Sequence, residues 1–228
     1  MPDYRPLVSV IVAVKNGERF LPEALDDVAA QTYDNHEIVV VDGRSTDRSA
    51  EIARSFPGAR CLEQPGEGFA DAWNIGIEAA RGGLIAFLDS DDRWVPEKLE
   101  AQVGLLGRDP SLAYSITRVR FFLEPGQPPP PGFKPELLDG DHVGHMPSTL
   151  LARRALFDEI GMFSTDYRIA SDIDWFARVK DSGIGGAVVP EVMAHKRVHD
   201  SNLAYFAPQN QNTELLRLLR HSVARQRS

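Results

Sequence analysis

One cysteine, Cys61, stands in a chain of 228 residues. That excludes an internal disulfide and any thiolate metal cluster, and Cys61 reads as a small core residue in a short strand. Long apolar runs are missing too: none approaches the roughly 20 residues needed to cross a bilayer. The first apolar run is Leu7 to Val14, and Asp3, Arg5 and Pro6 break up what precedes it. No signal-peptide pattern forms there, so cytosolic residence is the expectation. Positive charge is in short supply, 25 Lys and Arg against 33 Asp and Glu for a net −8. That argues against a surface built mainly for nucleic acid. The Gly-x-Gly-x-x-Gly of a dinucleotide dehydrogenase is absent, since Lys15-Asn16-Gly17-Glu18 follows the first strand. What remains, 43% hydrophobic and 25% charged, is ordinary globular composition, long enough for one large core.

The chain is organised around Gly83-Leu84-Ile85-Ala86-Phe87-Leu88-Asp89-Ser90-Asp91-Asp92. Five apolar residues, Leu84 to Leu88, read as a strand buried on both faces. Three carboxylates follow at once. In an open α/β sheet, ligands bind beyond the carboxyl ends of the strands. Like charges crowded there repel, and burial raises their pKa values unless a cation sits among them. Oxygen ligands of this kind suit Mg²⁺ or Mn²⁺ with phosphate oxygens and water.

Around that strand the elements alternate. Leu7 to Val14 is a β-branched strand, followed by a helix over about 18–31 with Phe20, Ala24 and Val28 in one row and Leu21, Leu25 and Ala29 beside it. Pro22 falls in its first turn, where proline is tolerated. Glu37 to Val41 is a second buried strand ending at Asp42. Gly43-Arg44-Ser45-Thr46-Asp47 turns into a helix with Ser45 or Thr46 as N-cap and Asp47 at its positive end. Ala59 to Leu62 is a short third strand, and a helix burying Phe69, Trp73, Gly76, Ile77 and Ala80 leads to Gly82-Gly83. This β-α-β-α-β-α-β order predicts an α/β domain with a mostly parallel central sheet and helices on both faces.

Beyond the acidic cluster the pattern predicts a helix from Pro96 to about Gly107, a strand over 112–123, and a helix over 149–160. A further helix over 171–182 packs Ile173, Phe176, Ala177 and the stem of Lys180. Ala187 to Val189 and Val192 to Ala194 read as two short strands. Pro125 to Gly132 is a proline-rich segment of polyproline II character, either a surface loop or the border of an acceptor site. The last predicted helix, 209–227, sets Leu215, Leu216, Leu219 and Val223 on one side, with Arg217, Arg220, Arg225 and Arg227 against Glu214. It has no Trp or Phe, which is thin for lasting membrane attachment. It is expected to dock on protein, within the chain or across a homodimer.

Four segments in order give the chain a resemblance to the family 2 glycosyltransferases, nucleotide-sugar enzymes of GT-A fold. They are Val8 to Val12 with Asn16; Val41-Asp42-Gly43-Arg44-Ser45-Thr46-Asp47; Trp73-Asn74-Ile75-Gly76 with Phe87-Leu88-Asp89-Ser90-Asp91-Asp92; and Ser171-Asp172-Ile173-Asp174-Trp175 with Arg197-Val198-His199. The resemblance covers about residues 7–203. It implies a single domain, with a nucleotide-binding half over 7–94, an acceptor half over 95–207 and a C-terminal amphipathic helix over 208–228. It implies transfer of a sugar from a nucleotide-diphosphate sugar, UDP favoured by analogy, to an acceptor hydroxyl with inversion.

The same resemblance assigns residues. Val12, Val14, Asn16, Asp42, Asn74, Asp89 and Ser90 would bind the nucleotide, Asp42 at the base and Asp89 at the ribose. Asp91 and His199 would hold the Mn²⁺ or Mg²⁺ that bridges the diphosphate, and Asp172 would be the general base. Asp47 is a base contact or a helix-end carboxylate. Asp92 is a helper at the ligand or a cap for the helix after Pro96. Asp174 is an anchor. Lys196 and Arg197 meet phosphate or stand as a solvated pair.

Gly43, Arg44, Trp73 and Ser171 depart from the family pattern, which commonly has an acid, a glycine, an arginine and a glutamate there. The acceptor is open among lipid-linked saccharide, polysaccharide, peptide and small molecule. Nucleic acid is not expected as a partner, and peripheral attachment to the inner face of a membrane is left open. The alternatives are a sugar-nucleotide-binding module without catalysis and a metal-dependent nucleotidyltransferase. The latter usually carries a Gly-rich basic loop, for which Ala13-Val14-Lys15-Asn16-Gly17 is a poor match.

Overall fold

The computed structural model describes residues 4–200, 202 and 208–225. Its first half alternates as the sequence predicts: β1 (Val8–Val14), α1 (Leu21–Ala29), β2 (His36–Asp42), α2 (Ser49–Ser55), β3 (Ala59–Glu63), α3 (Phe69–Ala79) and β4 (Leu84–Asp89). The second half follows with β5 (Arg93–Trp94), α4 (Lys98–Arg108), β6 (Tyr114–Leu123), β7 (His142–Val143), β8 (Leu151–Arg153), α5 (Arg154–Ile160), α6 (Ser171–Asp181), β9 (Gly186–Val198) and α7 (Pro208–Arg225). One sheet carries the order β3-β2-β1-β4-β8-β6-β9-β5, with β7 beside β6. β3, β2, β1 and β4 are mutually parallel, as are β6 and β9. The short β8 is antiparallel to both β4 and β6, so every long strand runs the same way.

Side-chain alternation divides the core into two layers. Val8, Val10, Val12 and Val14 of β1, with Leu84, Ala86 and Leu88 of β4, pack under α1, α2 and α4. Ile11, Ala13, Ile85 and Phe87 point the other way, to α3, α5 and α6. Each such side chain contributes about 1.5–3 kcal/mol by burial. Gly76 permits the closest helix approach, since a Cβ there would stand 2.4 Å from Ile11 Cγ2. Trp175 is fully buried and stacks on Phe157 with ring centroids 5.0 Å apart, which fixes α6 against the sheet.

Several local expectations are corrected. The predicted helix over 149–160 begins as strand: Leu151, Ala152 and Arg153 pair with both β4 and β6, and only Arg154–Ile160 is helical. Tertiary pairing overrides its helical pattern. The two short strands after α6 are one strand, β9, with Pro190 in an irregular stretch of its pairing with β6, where its missing N–H costs no ladder bond. α2 starts at Ser49, not at Ser45 or Thr46. α6 buries Ser171, Asp174, Trp175, Phe176 and Val179 while Ile173 is exposed, and Phe69 and Ala29 are exposed as well. On α7 the buried leucine is Leu218, against Tyr167 and Ala170, whereas Leu216, Leu219 and Val223 face solvent. Arg227 lies outside the described residues.

Candidate active site

The parallel strands deliver three loops to one edge of the sheet. The loops after β1 and β2 are tied together. Asn16 Oδ1 accepts from Thr46 N at 2.8 Å, Ser45 Oγ accepts from Asn16 N at 2.9 Å, and Ser49 Oγ accepts from Gly17 N at 2.8 Å. Asp47 accepts from Glu18 N at 3.0 Å, and from Ser49 N and Oγ, which explains its lowered pKa despite some burial. Asp47 thus fastens a loop to a helix start. Arg44 adopts φ +56°, the left-handed conformation that glycine takes without strain. The family's common glycine there has this physical reason.

Asp42, at the end of β2, is 3% exposed. Its Oδ2 accepts from Ser45 N at 3.2 Å, while its buried Oδ1 has no hydrogen-bond partner among the described residues. Asp89, at the end of β4, is similar: Oδ2 accepts from Lys196 Nζ at 2.8 Å, and buried Oδ1 has no partner. An unmatched buried carboxylate oxygen is costly, and each can accept from a donor that the described residues do not supply. The side chains of Val12 and Val14 lie in the core, which leaves only their backbone for a ligand. The Asn74 amide is engaged at both ends by Phe163, donating to its carbonyl at 2.8 Å and accepting from its N–H at 3.0 Å. It ties α3 to the loop before α6. Ser90 lies against the turn at Gly17.

One ligand oxygen from each of Asp89, Asp91 and Asp92 lies within 4.8 Å of the others. Their partners separate them. Asp92 is 1% exposed and takes hydrogen bonds from Ser148 Oγ at 2.7 Å, Arg197 N at 3.2 Å and Lys196 Nζ at 3.2 Å. Burial and the neighbouring Asp91 and Asp89 raise its pKa against the pull of Lys196. Its partners fasten the end of β4 to β9 and to Ser148, so it does not cap α4. Asp91 faces His199 Nε2 at 2.9 Å and Asn202 Nδ2 at 3.1 Å. Burial opposes its charge, but Lys196 and the His199 hydrogen bond outweigh that and lower its pKa. The carboxylate of Asp91 and the imidazole of His199 form a donor set that fits Mn²⁺ or Mg²⁺ with phosphate oxygens.

Lys196 and Arg197 are not a solvated pair. Burial disfavours the Lys196 ammonium, yet Asp89, Asp92 and Asp91 hold its pKa well above the usual lysine value. Arg197 is 2% exposed, pairs with Glu23 at 2.6 Å and with Glu124, and lies over the rings of Phe20 and Phe122. Sequence reasoning also missed Ser148, Asn202 and Glu214. Only Asn202 carried a signal, its nearness to His199.

Asp172 stands in the first turn of α6, half-buried, and accepts from Ile173 N at 2.8 Å. Burial raises its pKa to about 6, and the nearby Asp89 adds to the effect. Asp174, two residues on, faces away and bonds Arg178 Nε at 2.8 Å. Arg178 in turn donates to the carbonyls of Ile160 and Met162, anchoring α6 to the end of α5. From α7, Glu214 accepts from the N–H groups of Arg168, Ile169 and Ala170 at 2.9, 2.9 and 3.0 Å. The segment leading into Asp172 is therefore held by the last helix.

A parallel α/β sheet with an acidic cluster at its carboxyl edge, continued by a mixed sheet bearing a helix-borne carboxylate, makes up the GT-A fold. The glycosyl transferase family 2 model matches residues 9–172, and the chain belongs to that family. An uncharacterised glycosyltransferase of Rickettsia prowazekii is 32% identical over 94% of this chain and 69% of its own length. One of Rickettsia typhi is 32% identical over 87% of this chain, which spans 66% of that relative. Among solved structures, S. aureus TarS in complex with UDP-GlcNAc aligns with a TM-score of 0.74 at 21% identity, over 96% of this chain and 66% of that one. The mannosyltransferase PcManGT of Pyrobaculum calidifontis, in complex with GDP-Man and Mn²⁺, gives 0.72 at 23% identity over 98% and 66%.

Proposed function

We propose that this chain transfers a sugar from a nucleoside diphosphate sugar, UDP-linked by preference, to an acceptor hydroxyl with inversion at the anomeric carbon. The observation that carries the reading is the pair of buried, unpartnered carboxylate oxygens, Asp42 Oδ1 and Asp89 Oδ1, on the edge that also bears Asp172. Asp42 suits the imide N–H of a uracil and Asp89 a ribose hydroxyl. Asp172, with a pKa of about 6, is ionised at neutral pH yet basic enough to take the acceptor proton as the hydroxyl attacks. A divalent ion, Mn²⁺ or Mg²⁺, supplies Lewis acidity for the departing diphosphate, and Asp91 and His199 are the residues to hold it.

In this reading residues 7–94 form the donor half and 95–207 the acceptor half. A groove of about 670 Å³ runs along α6 past Ile173, Phe176 and Lys180 to Gly186. Its size suits an acceptor. No helix among the described residues is long and apolar enough to cross a membrane.

The test is a thermal-shift panel of nucleotide sugars with and without Mn²⁺, followed by calorimetry on Asp91→Asn. A ligand that binds only the folded state at 100 times its dissociation constant stabilises by about 2.7 kcal/mol. A UDP-sugar should stabilise most. Asp91→Asn should erase the Mn²⁺-dependent part of UDP affinity while the free protein stays folded. If no nucleotide sugar stabilises the chain, the reading fails. If affinity in the variant still depends on Mn²⁺, Asp91 is not the ligand.

A further inference from the structure

We propose that Lys196 is a resident counter-cation of the acidic cluster, which weakens the cluster's hold on a divalent ion and supplies part of the positive charge that a nucleoside diphosphate requires. The inference rests on the nucleotide-sugar reading above and adds a residue to it. The Lys196 ammonium sits between two carboxylates, 2.8 Å from Asp89 Oδ2 and 3.2 Å from Asp92 Oδ2. Its place is fixed. β9 carries it in register with Phe121 of β6, and the next backbone N–H, that of Arg197, is bonded to Asp92. Asp92 is closed off from solvent, so salt screens this pair far less than a surface pair.

The consequence follows from charge. Asp89, Asp91 and Asp92 bring three carboxyl groups within 4.8 Å, and burial with the two neighbouring acids pushes the pKa of Asp92 up to about 8. The Lys196 ammonium offsets one of the negative charges of this cluster. A divalent ion approaching Asp91 and His199 therefore meets a weaker field than the cluster without it would create. A diphosphate approaching the same edge meets less repulsion. Lys196 also takes one oxygen of Asp89 and leaves the other, Oδ1, unpartnered. The lysine thus presents a single Asp89 oxygen to the ligand while offsetting the charge behind it.

Calorimetric titration of the full chain tests this with two probes, Mn²⁺ alone and UDP in the presence of EDTA. An opposite charge at this distance shifts a charged equilibrium by about one to three powers of ten. Lys196→Gln should therefore tighten Mn²⁺ binding at least about tenfold and weaken metal-free UDP binding by a similar factor. Damage to the fold weakens both, so the opposed signs separate the two causes. Lys196→Arg should leave both constants near wild type.

Unmoved or weakened Mn²⁺ binding in Lys196→Gln overturns the proposal. If wild-type chain binds neither probe, the nucleotide–metal reading of the site falls and this inference falls with it. If wild type binds both and the variants match it, only the role of Lys196 is lost.

Discussion

The two halves of the sheet use carboxylates in opposite ways. In the parallel half, β3-β2-β1-β4, Asp42 and Asp89 end buried strands and each keeps one buried oxygen without a partner. In the mixed half and at the junction the carboxylates are engaged by the protein itself. Asp174 holds Arg178, Asp181 holds Ser222 and Arg225, Glu214 holds three backbone N–H groups, and Asp92 holds Lys196 and Ser148. A carboxylate that spends both oxygens on the protein fastens an element. One that withholds an oxygen in a buried place is, in the proposed reading, left to take a ligand. Asp172 belongs functionally with the first strands, although it stands on the far half.

That distinction can be broken by substitution. The largest effect is expected at Asp172. Asp172→Asn should lower turnover by roughly 10²–10⁴-fold and leave UDP affinity near wild type. Wild-type kcat should rise with pH through about 6 as the base ionises, and the variant should lack that limb. The linked stability has the opposite sign. The folded-state pKa lies above the ordinary 3.8, so the folded protein binds the proton more tightly than the unfolded chain. Ionised Asp172 therefore costs stability above about pH 6, and the cost vanishes below 3.8. Asp172→Asn should melt higher than wild type at pH 8 and level with it near the acid limit. A variant that melts lower at pH 8 would assign Asp172 to the fastening class.

Next comes Asp92. Asp92→Ala leaves Ser148 Oγ and Arg197 N without their acceptor in a closed space and should cost about 1–3 kcal/mol of stability, read by denaturant unfolding. A loss below 1 kcal/mol would place Asp92 with the ligand carboxylates instead. The smallest effect is expected at Glu214. Glu214→Ala should cost about 1 kcal/mol by freeing the N–H groups ahead of α6, a melting shift of about 2–4 °C for a chain this long. Turnover should fall severalfold with UDP affinity unchanged. A loss of UDP affinity instead would show that α7 acts on the donor half.

The parallel half was legible because its signals are local. β-branched runs such as Val8 to Val14 and Leu84 to Leu88 are buried on both faces, and each ends in a loop whose carboxylate stands at the sheet edge. The mixed half hid its organisation in distant pairings. Leu151 to Arg153 is a strand because β4 and β6 flank it, and nothing within ten residues says so. The leucines of α7 mislead for a similar reason. Leu216 and Leu219 form the more apolar stripe, but Glu214, Ser222 and Arg225 find polar partners beside α6 and turn Leu218 inward. Of the proposed site, Asp42, Asp89, Asp91 and Asp172 could be proposed from sequence because each is an acid at or just past a strand end or at a helix start. Lys196 could not, because its role depends on the end of β9, separated from β4 by two strands in the sheet, reaching the acids that follow β4.

The cross-bonded loops after β1 and β2 have a consequence for inheritance. Asn16 reads Thr46, Gly17 reads Ser49 and Glu18 reads Asp47, so neither loop has a complete set of partners without the other. A recombination point between residues 18 and 45 would separate halves that complete each other. Base preference is therefore expected to travel between family members as a paired cassette, with both loops exchanged together. A graft of one loop alone would carry the cost of the broken contacts before it could reveal any new specificity.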